Sequence, residues 1–251
     1  MAPFLISLEG NIGSGKTTIL NHLKSNLRVA GSRRIAYVEE PLDQWQSITN
    51  KENVSMLELF YKDPKKYAFS FQMMAYISRL ANLQDAIKKY PNHIIFMERS
   101  LLTDYHVFAK MLHDSGDLLD EEYTIYKRWF SHFNNIQMDA LVYIHCSPEV
   151  SHERCKNRNR TGETISLEYM TKVHERHEHW IHEIDNRPLL VVENDTTSID
   201  DTLFCIEDFL DDLVIPDDSD HFMEKMYSSY AYSRLILLWF LVSVFSFLKK
   251  A

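Results

Sequence analysis

Phe4-Leu5-Ile6-Ser7-Leu8-Glu9-Gly10-Asn11-Ile12-Gly13-Ser14-Gly15-Lys16-Thr17-Thr18-Ile19-Leu20 is the stretch on which the reading of this chain turns. Phe4–Leu8 is a short apolar run that stops at a glycine turn, the pattern of a buried strand. From Thr17 to Leu27 the apolar residues Ile19, Leu20, Leu23 and Leu27 share one face, the pattern of an amphipathic helix. Gly10 to Thr17 lies between them and fits G-x-x-x-x-G-K-[ST]. The motif sits in the strand–turn–helix context it requires. Glycines let successive backbone N–H groups turn inward around phosphate oxygens, and the helix N-terminus adds a positive dipole. Lys16 can then reach the outer phosphates of a nucleoside triphosphate, and the Thr17 hydroxyl can serve Mg²⁺. Gly10, Asn11, Ile12, Gly13, Ser14, Gly15, Lys16, Thr17 and Thr18 are the expected triphosphate-binding residues. The loop alone does not say what is phosphorylated.

Outward from the loop, Arg34–Val38, His93–Met97, Ala140–Ile144 and Pro188–Val192 are further strand candidates. Helical patterns separate them, at about Pro64–Lys89, Leu101–His113, Glu121–Phe133, Pro148–Arg158 and Ser166–Ile184, with a last helix near Ile199–Leu213. Apolar strands alternating with helices imply an α/β fold, its parallel sheet covered on both faces. The expected organisation is a domain over residues 1–215, an acidic and polar linker over 216–234, and an apolar tail over 235–251.

With 251 residues, 45% of them hydrophobic and 25% charged, the chain can bury a large core. Six glycines and seven prolines argue against a disordered chain. A net charge of −9 argues against a nucleic-acid partner, which needs a basic footprint. A small anion remains compatible, since a pocket can be basic on an acidic protein. Three unclustered cysteines, Cys146, Cys155 and Cys205, point to a reducing compartment. The N-terminal residues resemble neither a signal peptide nor an Arg-rich presequence, so the expected location is cytoplasmic. Leu235–Leu248 carries no charge, and it leaves membrane or mitochondrial association open. Fourteen helical residues would span roughly 21 Å, short of a hydrocarbon core of about 30 Å. The expectation for this tail is burial against protein or contact with a membrane, with no role in catalysis.

The remaining motifs follow in order. They are Glu40-Pro41-x-x-x-Trp45, Tyr61-Lys62-Asp63-Pro64-Lys65-Lys66, Phe71-Gln72, Glu98-Arg99-Ser100 and Arg158-x-Arg160-x-x-Glu163. With the glycine loop they resemble the deoxyribonucleoside kinases: the deoxycytidine and deoxyguanosine kinases, the mitochondrial thymidine kinase and the multisubstrate insect enzyme. The likeness runs from about Phe4 to Leu213. It implies a P-loop kinase fold with a five-stranded parallel sheet and an arginine-rich lid, ATP and Mg²⁺, a deoxynucleoside acceptor, and a homodimer packed through helices. By resemblance Glu40 is the base for the sugar 5′-hydroxyl, and Arg99 contacts that oxygen and the transferred phosphate. Glu98 joins Thr17 at the Mg²⁺ site, while Arg158 and Arg160 cover the donor. Glu163 holds the 3′-hydroxyl with Tyr61 as its partner. Trp45, Phe71 and Phe108 enclose the base, and the Gln72 amide can bond its edge. Each aromatic could instead be plain core, and Glu39 has the same chemistry as Glu40. Arg154 counts with Arg158 and Arg160 as a third lid arginine, before Thr161-Gly162.

Base preference rests on Ala75, Arg79 and Asp104. Thymidine-accepting members resemble one another in apolar residues at these places, whereas the deoxycytidine and deoxyguanosine kinases carry Arg and Asp at the latter two. An Arg–Asp pair is a charge-assisted unit that a thymine methyl would desolvate without return. Deoxycytidine, deoxyadenosine or deoxyguanosine is therefore expected over thymidine. Two other functions compete. A nucleoside-monophosphate kinase would need a site for a substrate phosphate, and an accessory subunit that had lost catalysis could have lost Lys16, Glu40 or Arg99, all of which stand here. His174, His177, His179 and His182 crowd one stretch. Without His-Glu-x-x-His or a third ligand, they read as a polar helix face rather than a metal site.

Overall fold

A computed structural model describes residues 2–160 and 162–214. Thr161, the linker over 216–234 and the tail over 235–251 lie outside the described residues. Contacts gather Met1–Leu210 into one unit; of residues 211–251, only the end of the last helix is described.

The glycine loop joins β1 (Phe4–Glu9) to α1 (Lys16–Asn26). Then come β2 (Val29–Ala30), β3 (Arg33–Val38), α2 (Leu42–Ser47), α3 (Met56–Lys62), α4 (Pro64–Lys89) and β4 (Ile94–Glu98). A broken helical stretch follows: α5 (Leu101–Thr103), a wide π-helical turn (Asp104–Ala109) and α6 (Lys110–Asp114). The chain continues through α7 (Asp120–Phe133), β5 (Ala140–His145), α8 (Pro148–Arg158) and α9 (Leu167–His179). It closes with a second π-helical turn (Trp180–Ile184), β6 (Leu189–Glu193) and α10 (Ile199–Val214).

The sheet has six strands in the order β2-β3-β4-β1-β5-β6, not the five expected. The five expected strands are present and mutually parallel. The sixth is the two-residue β2, paired antiparallel to β3 through Val29↔Arg34 and Ala30↔Arg33. Two residues are too few for a periodic signal, and a neighbouring strand alone makes them a strand. Helices α2 and α3 were also unforeseen, because six or seven residues cannot show a helical period. The side chains of Ser55 and Asp63 cap α3 and α4.

Strand order decides where the site lies. The chain runs outward from β1 to β3 on one side and to β5 and β6 on the other, so β1 marks the switch in direction. In such sheets a crevice opens at the carboxyl ends of the strands. Register places the decisive residues there: Leu8 pairs with Glu98, Glu9 with Tyr143, and Val38 with Met97. β1 and β4 are buried almost throughout, and Tyr76, Tyr126 and Trp180 are among the largest fully buried side chains. Among the described residues, no helix is long and apolar enough to cross a membrane.

Candidate active site

Backbone geometry builds the phosphate turn. Gly13 and Gly15 adopt φ of 80° and 98°, which residues with a side chain rarely adopt. A Cβ on Gly13 would also collide with the Ser151 carbonyl oxygen of α8. The Asn11 side chain closes the loop, accepting from the Ile12 N–H at 2.8 Å and donating to the Met170 carbonyl of α9 at 3.0 Å. Asn194 bonds the Ser14 carbonyl at 2.6 Å from the end of β6.

Lys16 is buried, and its ammonium donates to the Asn11 carbonyl at 2.5 Å and to Ser14 Oγ at 3.2 Å. Burial first, and the Arg99 charge second, bring it down to about 7, against the opposing pull of Glu98, Glu40 and Glu9. The Thr17 hydroxyl donates to Glu98 Oε1 at 2.7 Å. This pair of hard oxygen donors beside the loop fits Mg²⁺ chemistry.

Beyond Lys16 lies a chain of buried charges. Glu40 accepts from Arg99 Nη1 at 2.8 Å and from Arg79, and Arg79 bonds Asp104 through its other terminal nitrogen. Burial raises Glu40, but Arg99, Arg79 and Lys16 outweigh it and hold the carboxyl at about 2. Burial pushes Asp104 up to about 6 despite Arg79. Glu39, one residue away, faces Lys24 at 2.7 Å on the exposed side. The two glutamates directly follow β3, and their side chains take different partners, Lys24 at the surface and Arg99 in the interior.

Arg99 has φ of 60° without being glycine, a strained conformation of the kind that gathers at functional sites. Glu9 helps to hold it there. This fully buried carboxylate accepts from the Ser100 N–H at 3.0 Å, from Ser100 Oγ at 2.6 Å and from the Thr103 hydroxyl. It thereby locks the turn after Arg99 to the end of β1. Its signal in the sequence was a charge closing a buried strand.

Lys16, Glu40, Arg79, Arg99 and Asp104 line one cavity of about 450 Å³. Of the expected residues, Gly10, Asn11 and Ser14 shape the loop behind it, and all the others line it: Ile12, Gly13, Gly15, Lys16, Thr17, Thr18, Glu40, Trp45, Tyr61, Phe71, Gln72, Ala75, Arg79, Glu98, Arg99, Asp104, Phe108, Arg158, Arg160 and Glu163. The aromatic wall is Phe71 stacked on Phe60 at 4.5 Å, with Trp45 edge-on to Phe71 at 5.5 Å. Trp45 Nε1 donates to Ser78 Oγ at 2.8 Å, and Phe108 lies 5.4 Å beneath the Arg99 guanidinium. Sequence reading missed Asn21, Leu42, Leu57, Phe60 and Tyr169 as lining residues. Apolar side chains carry no mark that separates a wall from a core.

The three expected arginines, Arg154, Arg158 and Arg160, all line the cavity. Arg154, in the body of α8, also donates to the Asn194 carbonyl at 2.8 Å. Arg158 ends α8 and bonds Glu163 at 2.6 Å, and Arg160 reaches the same carboxylate at 3.5 Å. Glu163 therefore has the two arginines as its ion-pair partners, and Tyr61 lines the same cavity. The Glu163 side chain is only 4% exposed, and a carboxylate that deep needs a cation. Tyr61 packs edge-on to Tyr169 at 6.5 Å, its hydroxyl pushed up by burial and by Tyr169 and Glu163.

A glycine phosphate loop at the switch point of a parallel sheet, opening on a carboxylate held by arginines, defines a P-loop kinase. A sequence profile of the family described as deoxynucleoside kinase matches residues 6–213, and the chain belongs to that family. Its activity is phosphoryl transfer to a deoxynucleoside. A probable deoxycytidine kinase of fowlpox virus is 35% identical over 84% of this chain and 89% of its own length. Human deoxycytidine kinase is 33% identical over 70% of this chain and 74% of its own. The mitochondrial deoxyguanosine kinase of Xenopus laevis is 31% identical over 70% and 72%.

Proposed function

We propose that the chain transfers the γ-phosphate of ATP to the 5′-hydroxyl of deoxycytidine, deoxyadenosine or deoxyguanosine, with thymidine a poor acceptor. One observation carries the base preference. At the buried end of the cavity, Gln72 Oε1 and Asp104 Oδ2 have no hydrogen-bond partner. Buried acceptors of this kind call for a donor. Cytosine, adenine and guanine each bring an exocyclic amino group with two N–H donors, whereas thymine offers only its single ring N–H to these two acceptors. The names of the relatives agree, being deoxycytidine and deoxyguanosine kinases.

The remaining roles follow from charge. Glu40, held at about 2, is ionised at any working pH and accepts the 5′-hydroxyl proton as the new P–O bond forms. Arg99, bonded to Glu40, spreads its guanidinium charge over the transferring phosphoryl group. Lys16 and the loop N–H groups hold the donor phosphates, with Arg158 and Arg160 above them. Glu163 and Tyr61 position the sugar. Thr17 and Glu98 would hold Mg²⁺, which supplies charge neutralisation across the phosphates when bound.

The working form is a homodimer. Ile77 on α4 and Ile125 and Trp129 on α7 are 49%, 44% and 41% exposed, on two helices that pack together. Sedimentation of the purified chain tests this, a monomer at micromolar concentration overturning it. The main test is transfer of label from [γ-³²P]ATP to each of the four deoxynucleosides. Preference for thymidine over the other three overturns the assignment of the base.

A further inference from the structure

One polar cluster lies outside the cavity. It joins His145, the last residue of β5, to His174 and Glu178, one turn apart on α9. A ligand nitrogen from each imidazole and an oxygen of the carboxylate lie within 4.8 Å of one another. The two imidazole rings are 5.3 Å apart, and His145 Nε2 stands 3.7 Å from Glu178 Oε1. We propose that His145, His174 and Glu178 form a transition-metal site for Zn²⁺ that pins α9 to the end of β5.

The hydrogen bonds around the cluster favour a cation at its centre. His145 Nδ1 lies 2.5 Å from Glu193 Oε2, and an ionised carboxylate can only accept. The proton therefore belongs on Nδ1, which leaves the Nε2 lone pair aimed at a second acceptor, Glu178 Oε1. At 3.7 Å the two are beyond hydrogen-bonding distance. A metal between them satisfies both. Glu193 then holds the ring as a carboxylate holds a zinc-bound histidine. Tyr143 steadies Glu178 in the same way, donating to Oε1 at 2.6 Å. His174 Nδ1 is buried without a partner.

Two nitrogens and one oxygen suit Zn²⁺, with water in the fourth position. They do not suit Mg²⁺, which prefers oxygen alone, so this site differs in kind from the one at Thr17 and Glu98. Ligand atoms in a tetrahedral zinc site lie about 3.3 Å apart, so closure requires side-chain shifts of roughly 1 Å. The histidine pair singled out in the sequence was His174 and His177. His177 is fully buried, bonded to the Val173 carbonyl at 2.8 Å and stacked on Tyr143, and takes no part. The missing ligand came from β5, which no helix spacing could reveal.

The site would act on the catalytic cavity only through α9, which supplies Tyr169 to its wall and the Met170 carbonyl to Asn11. The test uses the full chain, stripped with EDTA and titrated with Zn²⁺ against a chromophoric chelator, with thermal melts alongside. One equivalent should bind in the micromolar range or tighter and raise Tm by several degrees. His145→Gln and His174→Gln should each weaken binding at least tenfold while keeping the metal-free Tm within a few degrees. Co²⁺ should give the visible absorption of a tetrahedral complex. Either of two results overturns the proposal: wild-type protein that takes up no stoichiometric Zn²⁺, or uptake unchanged in both variants. NMR showing His145 protonated at both nitrogens at pH 7 with Zn²⁺ present would also overturn it, a proton then filling the metal's place.

Discussion

Replacing Arg79 by Met together with Asp104 by Ala tests the proposed base pocket. The pair is 4% and 2% exposed, so each charge depends on its partner rather than on water. Removing one member of a buried pair costs about 3–5 kcal/mol, whereas replacing both by apolar groups is close to neutral. The two single losses should differ. Arg79 without Asp104 still has Glu40. Asp104 without Arg79 has lost its main cation, and a carboxyl already pushed up to about 6 by burial will become neutral. The double variant should be more stable than the summed singles by about 1–3 kcal/mol. For turnover, the change removes the acceptor for an exocyclic amine and admits the thymine methyl. The kcat/KM for thymidine should rise at least about tenfold, equal to 1.4 kcal/mol. The kcat for deoxycytidine should fall, because Arg79 also bonds Glu40. Label transfer from ATP to the four deoxynucleosides, with denaturant melts of all four proteins, measures both effects. An unchanged ratio of thymidine to deoxycytidine turnover would refute the base assignment. Additive stabilities would refute the pairing.

Glu40→Gln keeps the shape of the side chain and removes the base, so kcat should drop by roughly 10²–10⁴ while nucleoside affinity stays within several-fold. Glu39→Gln, facing Lys24 on the surface, should turn over normally, and the reverse result would shift the catalytic glutamate by one residue. Lys16 is held at about 7 in the folded protein, so between pH 7 and about 10 the unfolded chain binds the extra proton and wild-type stability rises with pH. Lys16→Met should therefore be inactive yet more stable than wild type at pH 7. That advantage should shrink by up to about 1.4 kcal/mol per pH unit toward pH 10, and a constant difference in denaturant melts would contradict the lowered value. Gly13→Ala should destabilise the fold and abolish ATP binding by calorimetry, since its φ of 80° and the Ser151 carbonyl leave no room for a methyl group. Wild-type ATP affinity in that variant would show that the loop tolerates rearrangement.

The glycine loop was legible in the sequence because its chemistry is local. Strand, turn, lysine and helix are contiguous, and backbone N–H groups do the binding wherever the chain bends that way. The long amphipathic helices were legible for a similar reason. The pattern of Pro64–Lys89 repeats often enough to mark both of its ends, which coincide with those of α4. Glu40, Gln72 and Arg99 came from motif order, which names positions but not partners. Folding alone decided that Arg79 bonds Glu40 as well as Asp104, that Arg158 and Arg160 take Glu163, and that Glu9 braces the Arg99 turn. Each of these bonds except the short-range pairs to Glu163 joins elements far apart in the chain, and a buried charge takes whichever opposite charge the packing brings nearest. The π-helical turn at Asp104–Ala109 escaped for a related reason: residues 101–113 carry an ordinary helical pattern, and a one-residue widening leaves the apolar spacing almost unchanged. That turn sets where Asp104 and Phe108 project, and so the shape of the pocket depends on a distortion that the packing around it imposes.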